Sequence, residues 1–281
     1  MFKKISILFV FVAMSVNSLT ASVGISEFKK ESTGAVDTLK ILCYNVRHCS
    51  PPGTNKIDID AIVNVIKNSN ASIVALQEID VNTSRSGKNL NEAEALAKAC
   101  GMYFYFGKAI DFAGGEYGVA ILSKYPMSDE KATFLSKEAN PKMEQRVLLT
   151  AKIKISKKQT IRFACTHLDS DDENNRLLQV SEIVKIAEND SMPFIIAGDF
   201  NSTPESAPLK IVDKSFQRSC DECGLTFPQD VPDKCIDFIA FQRRVSKKIK
   251  TIRHFVINDS YASDHRPIYA ELYIKGVKYK D

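Results

Sequence analysis

Short apolar runs recur along the chain from about residue 38 onward, and each has the length of a typical β-strand. They are rich in β-branched and aromatic side chains and are separated by polar, glycine or proline residues, a pattern that predicts strands. Ten such runs follow one another: LKILCYNV, SIVALQEI, MYFYFG, YGVAILS, RVLLTAKIKI, TIRFACTHL, PFIIAGDF, CIDFIAF, TIRHFVI and PIYAELYI.

Helical periodicity appears in three segments between these runs. In Asp58–Asn70, for example, Ile59, Ile62 and Ile66 share one helical face. The other two segments are Leu90–Cys100 and Asn174–Asp190. Because several strands follow one another directly and the helices are few, the pattern predicts an α/β fold. We expect a four-layered α/β sandwich, in which two packed and mainly antiparallel β-sheets are flanked by helices.

The N-terminal residues differ in composition from the rest. Two lysines precede an apolar run from Ile5 to Val16, and small and polar residues follow it, which is the pattern of a secretory signal peptide. The run is shorter than the roughly 20 residues of a membrane-spanning helix; a retained N-terminal anchor is the alternative. The predicted divisions are a signal peptide at 1–22, a linker at 23–37 and one folded domain at 38–281. We therefore expect an exported protein, periplasmic or extracellular.

Composition and charge narrow the possibilities only a little. The chain is 44% hydrophobic and 26% charged, which is ordinary for a globular protein. Its 38 basic and 34 acidic residues give a net charge of +4 and are spread along the sequence. This balance neither requires nor excludes a nucleic-acid partner.

Seven cysteines cannot all pair within one chain. Cys43 and Cys165 lie inside apolar runs, where free buried thiols are expected. Cys220, Cys223 and Cys235 cluster around a loop. A disulfide from Cys235 to either of the other two is favoured over a zinc site, because no second Cys/His pair stands at suitable spacing.

Polar residues recur where the apolar runs end or begin, and loops at strand ends are where a rigid scaffold presents functional groups. Each of these residues alone fits a turn or a solvated strand end. Together they supply hard oxygen ligands, amides and two imidazoles. They are Asn45, Gln77, Glu78, His167, Asp199, Asn201, Asp264 and His265.

Six short motifs contain these residues: Tyr44-Asn45-Val46, Leu76-Gln77-Glu78, Thr166-His167-Leu168, Gly198-Asp199-Phe200-Asn201, Ile236-Asp237-Phe238-Ile239 and Ser263-Asp264-His265-Arg266-Pro267. With these six motifs in this order, the chain resembles the endonuclease/exonuclease/phosphatase superfamily. Within the superfamily it resembles the deoxyribonuclease-like or sphingomyelinase-like metal-dependent phosphoesterases of the secreted bacterial type. The resemblance extends over about 39–273 and implies a two-sheet sandwich, in agreement with the strand pattern. It also makes 38–281 a catalytic domain.

The resemblance implies a role for each motif residue. Glu78 would bind a divalent metal, supported by Asn45 and Asp264, and oxygen ligands suit Mg²⁺, Mn²⁺ or Ca²⁺. Asp199 would position or deprotonate the attacking water. Asn201 would hold a phosphate oxygen or that water, His265 would lie beside the scissile phosphate and be oriented by Asp237, and His167 would donate a second hydrogen bond. Whether His265 is a base or an electrostatic clamp stays open.

Other residues are candidates for contact with substrate. Arg47 and Arg146 are suited to phosphate because guanidinium presents a planar pair of donors, and Arg85 could also shape the pocket. Tyr117 follows two glycines, and Phe227 lies in a Thr-Phe-Pro segment of the kind found near the site in bacterial relatives.

The interpretation we favour is an exported, monomeric, metal-dependent phosphodiesterase or phosphatase that uses metal-assisted water attack. Its substrates would be small organic or lipid-headgroup phosphoesters, the latter at a membrane surface. The first alternative is a secreted nuclease acting on DNA or RNA. The longest basic run, between Arg243 and Lys250, could contact nucleic acid but is also explained as a solvated hairpin. The second is a non-catalytic binding protein on the same fold.

Overall fold

The computed structural model describes residues 38–138, 143–157 and 159–275. The predicted signal peptide and linker lie outside these residues. None of the helices within the described ranges has both the length and the hydrophobicity of a membrane-spanning segment.

Twelve strands form two six-stranded sheets within the described ranges. The first sheet has the order β11 (Ile249–Val256), β12 (Ile268–Ile274), β1 (Thr38–Asn45), β2 (Ile73–Val81), β4 (Gly115–Ser123), β3 (Tyr103–Phe112). The second has the order β5 (Met127–Phe134), β6 (Val147–Ser156), β7 (Gln159–His167), β8 (Phe194–Asp199), β10 (Asp237–Gln242), β9 (Phe216–Arg218). Only the β1–β2 and β7–β8 pairs of these described strands are parallel.

Helices cover the outer face of each sheet. Apolar residues of α1 (Ile59–Ser69) and α2 (Glu92–Cys100) pack with the first sheet, and those of α3 (Glu173–Asn189) and α4 (Ala207–Ser215) pack with the second. Asp58, Asn91 and Asp172 cap the first three helices by accepting a backbone N–H three residues on.

Alternation along the strands generates the layers. On β1, Leu39, Ile41 and Cys43 face the core between the sheets, whereas Leu42 and Tyr44 face the helices. The predicted four-layered α/β sandwich of mainly antiparallel sheets is therefore confirmed.

The described chain also contains elements that the hydrophobic pattern missed. Strand β5 carries the mostly exposed sequence MSDEKATF, so no apolar run marked it. Strand β9 has three residues, and α4 is a short helix that follows the loop after β8.

The cysteine prediction was partly wrong. Cys220 pairs with Cys223, at a Cα–Cα distance of 5.1 Å, and Cys235 is a buried free thiol. Cys235 instead packs in the apolar layer between the second sheet and its helices. Cys43 and Cys165 are free and buried, as predicted.

Candidate active site

Strand register brings the predicted site residues to one edge of the sandwich. Asn45 pairs with Gln77 at the ends of parallel strands β1 and β2, and His167 pairs with Asp199 at the ends of parallel strands β7 and β8. Strand β10 runs antiparallel to β8 and starts there, so its first residue, Asp237, also pairs with Asp199. The ends of both sheets therefore meet at one site.

Asp199 is the centre of this arrangement. One of its carboxylate oxygens, Oδ2, lies 3.6 Å from Nε2 of His167 and 3.6 Å from Nε2 of His265. The same oxygen accepts a hydrogen bond of 3.1 Å from Nδ2 of Asn45. On its other ring nitrogen, His265 contacts Oδ2 of Asp237 at 3.0 Å. All five side chains are buried, so these contacts are shielded from water.

Burial and the neighbouring charges shift the pKa values of the two imidazoles in opposite directions. Burial opposes a positive charge on His265, but the carboxylates of Asp237 and Asp199 outweigh it and raise its pKa to about 10. Burial, followed by the charge of Arg146, lowers the pKa of His167 well below its ordinary value. At neutral pH the site therefore holds one cationic and one neutral imidazole. Burial and the neighbouring Asp237 raise the pKa of Asp199 to about 7.

Glu78 reaches the site through an irregularity in β2. The register of β2 against β4 shifts between Leu76 and Ile79, and Glu78 has a φ of 58°, in the left-handed region that non-glycine residues rarely adopt. Its Oε1 accepts a hydrogen bond of 3.0 Å from Nδ2 of Asn45. The amide nitrogen of Asn45 thus bridges Glu78 and Asp199, while its oxygen accepts the N–H of Arg47 at 3.1 Å.

Asp264 and Arg47 lie on the two loops that flank this bridge. Ser263 Oγ donates to the carbonyl oxygen of Asn45 at 2.7 Å, which ties the loop of Asp264 and His265 to the end of β1. Nε of Arg47 lies 3.4 Å from Oδ2 of Asp264, and Nη1 of Arg47 donates to the carbonyl oxygen of Ser50. Arg47 is a third exposed, so it is both partnered and accessible.

A divalent cation fits the carboxylates at this site. Burial raises the pKa of Glu78, and the charge of the nearby Asp264 raises it further, so a cation would offset both effects. Asp199, Asp237 and His265 also form a compact group whose candidate ligand atoms lie within 4.8 Å of one another. However, both ring nitrogens of His265 face carboxylates and its pKa is raised, so it lacks the free lone pair of a metal ligand. The donor chemistry favours Glu78 and Asp264, beside Asn45, as the metal-holding set.

The predicted substrate-contacting residues surround the same site. Arg146, buried at the start of β6, forms an ion pair of 3.0 Å with Glu144. Its charge adds to the effect of burial that lowers the pKa of His167, and it opposes the rise in the pKa of Glu78. Burial and then the charge of Glu78 raise the pKa of Tyr117. The ring of Phe227 lies 4.7 Å from that of His265, between centroids.

Asn201 is more constrained than the sequence suggested. Its backbone N–H donates to Asp199 Oδ1 at 2.8 Å, and its Nδ2 donates to the carbonyl oxygen of Leu168 at 3.0 Å. In this orientation its amide oxygen, which can accept a hydrogen bond from water, is the group left to face a reactant.

Sequence reasoning missed three acidic residues near the site. Glu144 is the partner of Arg146, and Asp80, fully buried, is the partner of Arg85. Glu92, also fully buried, accepts the N–H of Asp80 at 2.8 Å. The signal for Asp80 in the sequence was a second acidic residue in β2, two positions after Glu78.

Comparisons with known proteins agree with this fold. A family model described as the endonuclease/exonuclease/phosphatase family matches residues 42–265. The uncharacterised protein YbhP of Escherichia coli is 24% identical over 255 residues, which cover 84% of this chain and 97% of YbhP.

Solved structures with the same fold include a bacterial phosphatase and a human catalytic domain. The mannosyl-6-phosphatase of Bacteroides thetaiotaomicron has a TM-score of 0.67 at 17% identity, covering 83% of this chain and 99% of that one. The catalytic domain of human Nocturnin has a TM-score of 0.64 at 14% identity, covering 85% and 95%. Similarity at these levels of identity establishes the fold and not the substrate.

Proposed function

Because the chain belongs to the endonuclease/exonuclease/phosphatase family, we propose that it is a divalent-metal-dependent hydrolase of small organic or lipid-headgroup phosphoesters. The observation that carries this proposal is the convergence of His167, His265 and Asn45 on one oxygen of Asp199. Such a centre can hold a water molecule and a phosphoryl group in line, which is most of what phosphoryl transfer requires.

The proton-handling roles follow from the charges. Asp199, with a pKa raised to about 7, accepts a proton from the attacking water, and the amide oxygen of Asn201 helps to orient that water. His265, cationic at neutral pH, stabilises negative charge on the phosphoryl oxygens, and Asp237 fixes its ring. This supports the clamp role for His265 over the base role.

A divalent cation held by Glu78 and Asp264 would supply positive charge to the phosphoryl and leaving oxygens. Asn45 keeps Glu78 in position, and Arg146 adds a buried positive charge on the side of His167. His167, being neutral, contributes a hydrogen bond without adding charge.

The test is a substrate screen with Mg²⁺, Mn²⁺, Ca²⁺ or EDTA. It includes p-nitrophenyl phosphate, bis-p-nitrophenyl phosphate, mannose 6-phosphate, phosphoinositides, sphingomyelin and plasmid DNA; the sugar phosphate is chosen because one structural neighbour is a mannosyl-6-phosphatase. We expect EDTA-sensitive hydrolysis of a small or lipid phosphoester that His265→Ala abolishes. Arg253→Met, a change on an exposed strand, is the control.

The outcomes separate the alternatives. Preferential cleavage of plasmid DNA, with activity that falls steeply as salt is added, would indicate the nuclease instead. Wild-type rates in His265→Ala would refute the proposed chemistry. No turnover of any substrate, with a metal that still raises the melting temperature, would favour a binding protein.

We also propose that the protein acts outside the cytoplasm as a monomer. The support for export is the composition of residues 1–22 alone. Mass spectrometry of the mature N-terminus after cell fractionation tests export, and light scattering on the purified protein tests the monomer.

A further inference from the structure

Arg85 is held rigidly by an acid that water does not reach. Asp80 is fully buried, and its carboxylate accepts hydrogen bonds from Thr83 Oγ1 at 2.8 Å and from Ser86 Oγ at 2.6 Å. It also accepts two bonds from Arg85, of 3.0 Å from Nε and 2.8 Å from Nη2. This bidentate pair fixes the plane of the guanidinium, so little conformational entropy is left to lose on binding a ligand.

An aromatic hairpin covers one face of the same guanidinium. Cζ of Arg85 lies 4.4 Å from the ring centroid of Phe112 and 5.9 Å from that of Tyr117. The N–H of Ser84 donates to the carbonyl oxygen of Ala113 at 2.8 Å, which attaches the arginine loop to the tip of the β3–β4 hairpin. Arg85 remains a third exposed, and among the described residues its Nη1 has no hydrogen-bond partner.

This fixed cation stands beside the metal-holding edge of the site. Asp80 follows Glu78 by two residues on β2, and its register partner on β4 is Tyr117. Burial opposes the charge on Arg85, but the hydrogen bonds to Asp80 and the charges of Tyr117 and Glu78 raise its pKa.

His48 faces the same region and has an unused ring atom. Burial, together with Arg85, lowers its pKa to about 4, so its ring is neutral at physiological pH. Its Nδ1 is buried and lacks a hydrogen-bond partner among the described residues. A buried ring nitrogen without a partner costs stability unless a water or a ligand satisfies it.

Arg85 is connected to the centre at Asp199 through Glu78. Nδ2 of Asn45 donates to both Glu78 and Asp199, so these two carboxylates lie side by side in the site. Glu78 is also close enough to Arg85 for its charge to raise the pKa of the guanidinium. An oxyanion bound by Arg85 would therefore belong to the same substrate as a phosphoryl group held at Asp199 and Glu78.

We infer that Arg85, with His48 and the ring of Tyr117, forms a pocket for a second oxyanion of the substrate, such as a carboxylate or a second phosphate. The inference rests on the proposed function, because it takes the phosphoryl group to be held at Asp199 and Glu78. It assigns specificity, and not bond cleavage, to Arg85.

Two matched ligand pairs test this pocket with Mg²⁺ present. The first pair is 4-carboxyphenyl phosphate and phenyl phosphate, compared by kcat/KM. The second is 4-carboxyphenylphosphonate and phenylphosphonate, which cannot be hydrolysed, compared by titration calorimetry. In both pairs we expect the wild type to prefer the carboxylated member by about tenfold, the scale of one charge-assisted hydrogen bond at a partly exposed site.

The variant that removes the pocket is Asp80→Asn with Arg85→Met. The pair is changed together because Arg85→Met alone would leave a buried carboxylate without its cation, whereas asparagine can still accept from Thr83 and Ser86. Arg85→Lys keeps the charge but loses the planar fork, and Arg253→Met is the control. Circular dichroism and melting temperature verify that each variant is folded.

The preference is the ratio of the carboxylated to the uncarboxylated member of each pair. It should fall to about one in the double variant, take an intermediate value in Arg85→Lys, and stay unchanged in Arg253→Met. No preference in the wild type, or a preference that survives in the folded double variant, would overturn the inference. Selective binding of the carboxylated phosphonate without turnover of any phosphoester would support the pocket and refute the proposed function. Neither binding nor turnover would refute both.

Discussion

Asp237→Asn is the substitution that most directly tests the electrostatics of the site. It replaces the carboxylate 3.0 Å from Nδ1 of His265 with a neutral group of the same size. Opposite charges at this distance attract by about 5 kcal/mol at an effective dielectric constant of about 20. The remaining carboxylates of Asp199 and Asp264 partly offset the loss, so we expect the pKa of His265 to fall from about 10 by roughly three units.

The kinetic consequence depends on the sign of that change. In the wild type His265 keeps its proton up to about pH 10, so its loss does not limit activity at pH 7 to 9. In the variant the proton is lost near neutrality, so the alkaline limb of kcat/KM should move to lower pH. Loss of one charge-assisted hydrogen bond, worth about 1.5–3 kcal/mol, predicts a further fall of about 10- to 150-fold at pH 6.

The assay is a pH–rate profile from pH 5.5 to 9.5 with the best substrate of the screen, paired with an NMR titration of the imidazole C–H signals. The chain has only four histidines, so single substitutions can assign the signals. Asp213→Asn is the control, since Asp213 forms an ion pair with Arg218 at the surface. An unchanged alkaline limb together with an unchanged titration of His265 would refute the reasoning.

Three further predictions concern stability. Glu78→Asn should raise the free energy of unfolding in EDTA by about 1 kcal/mol while abolishing activity, because asparagine tolerates a φ of 58° and removes a buried carboxylate; lower stability in urea denaturation would contradict it. Burial raises the pKa of Glu92 from 4.5 to about 8, so its stabilisation is present at low pH and is lost as pH rises toward 8. Over this range the free energy of unfolding of Glu92→Gln should increase relative to that of the wild type by up to about 1.4 kcal/mol per pH unit. A difference in unfolding free energy that does not change with pH would argue against this prediction. Burial lowers the pKa of His254 from 6.5 to about 4, so the wild type should lose stability as pH falls through this interval. In His254→Asn, which can keep the hydrogen bond to Ser219, the melting temperature should fall less over the same interval. An equal fall in both proteins would contradict this prediction.

The residues of the site could be read from the sequence because they sit at strand ends. Register sets Asn45 beside Gln77 and places both His167 and Asp237 against Asp199. The strand pattern predicted that these residues lie at strand ends, and the resemblance of the six motifs indicated that they share one site. The two packed sheets could also be predicted from the sequence, because strands such as β1 are buried on both faces. Successive residues of β1 face alternately the core between the sheets and the helices.

The parts that could not be read depend on contacts between distant loops. Arg85 meets Phe112 only because a hairpin tip folds against the loop after β2. Cys220 pairs with Cys223 and not with Cys235 because Cys235 packs into an apolar layer. Neither arrangement leaves a periodic signal in the sequence.

The irregularity of β2 at Glu78 shows that a functional residue can be predicted from the sequence more easily than the direction in which its side chain points. Leu76 and Ile79 both face the helical layer although they are three residues apart, so the alternation of β2 is broken by one residue. Gln77 faces the core between the sheets, where its amide contacts the thiols of Cys43 and Cys165. Regular alternation would then have turned Glu78 toward the helices. The left-handed backbone at Glu78 takes up the extra residue and brings its carboxylate to Asn45. The buried hydrogen bond that the N–H of Asp80 donates to Glu92 helps to offset the cost of this strained backbone.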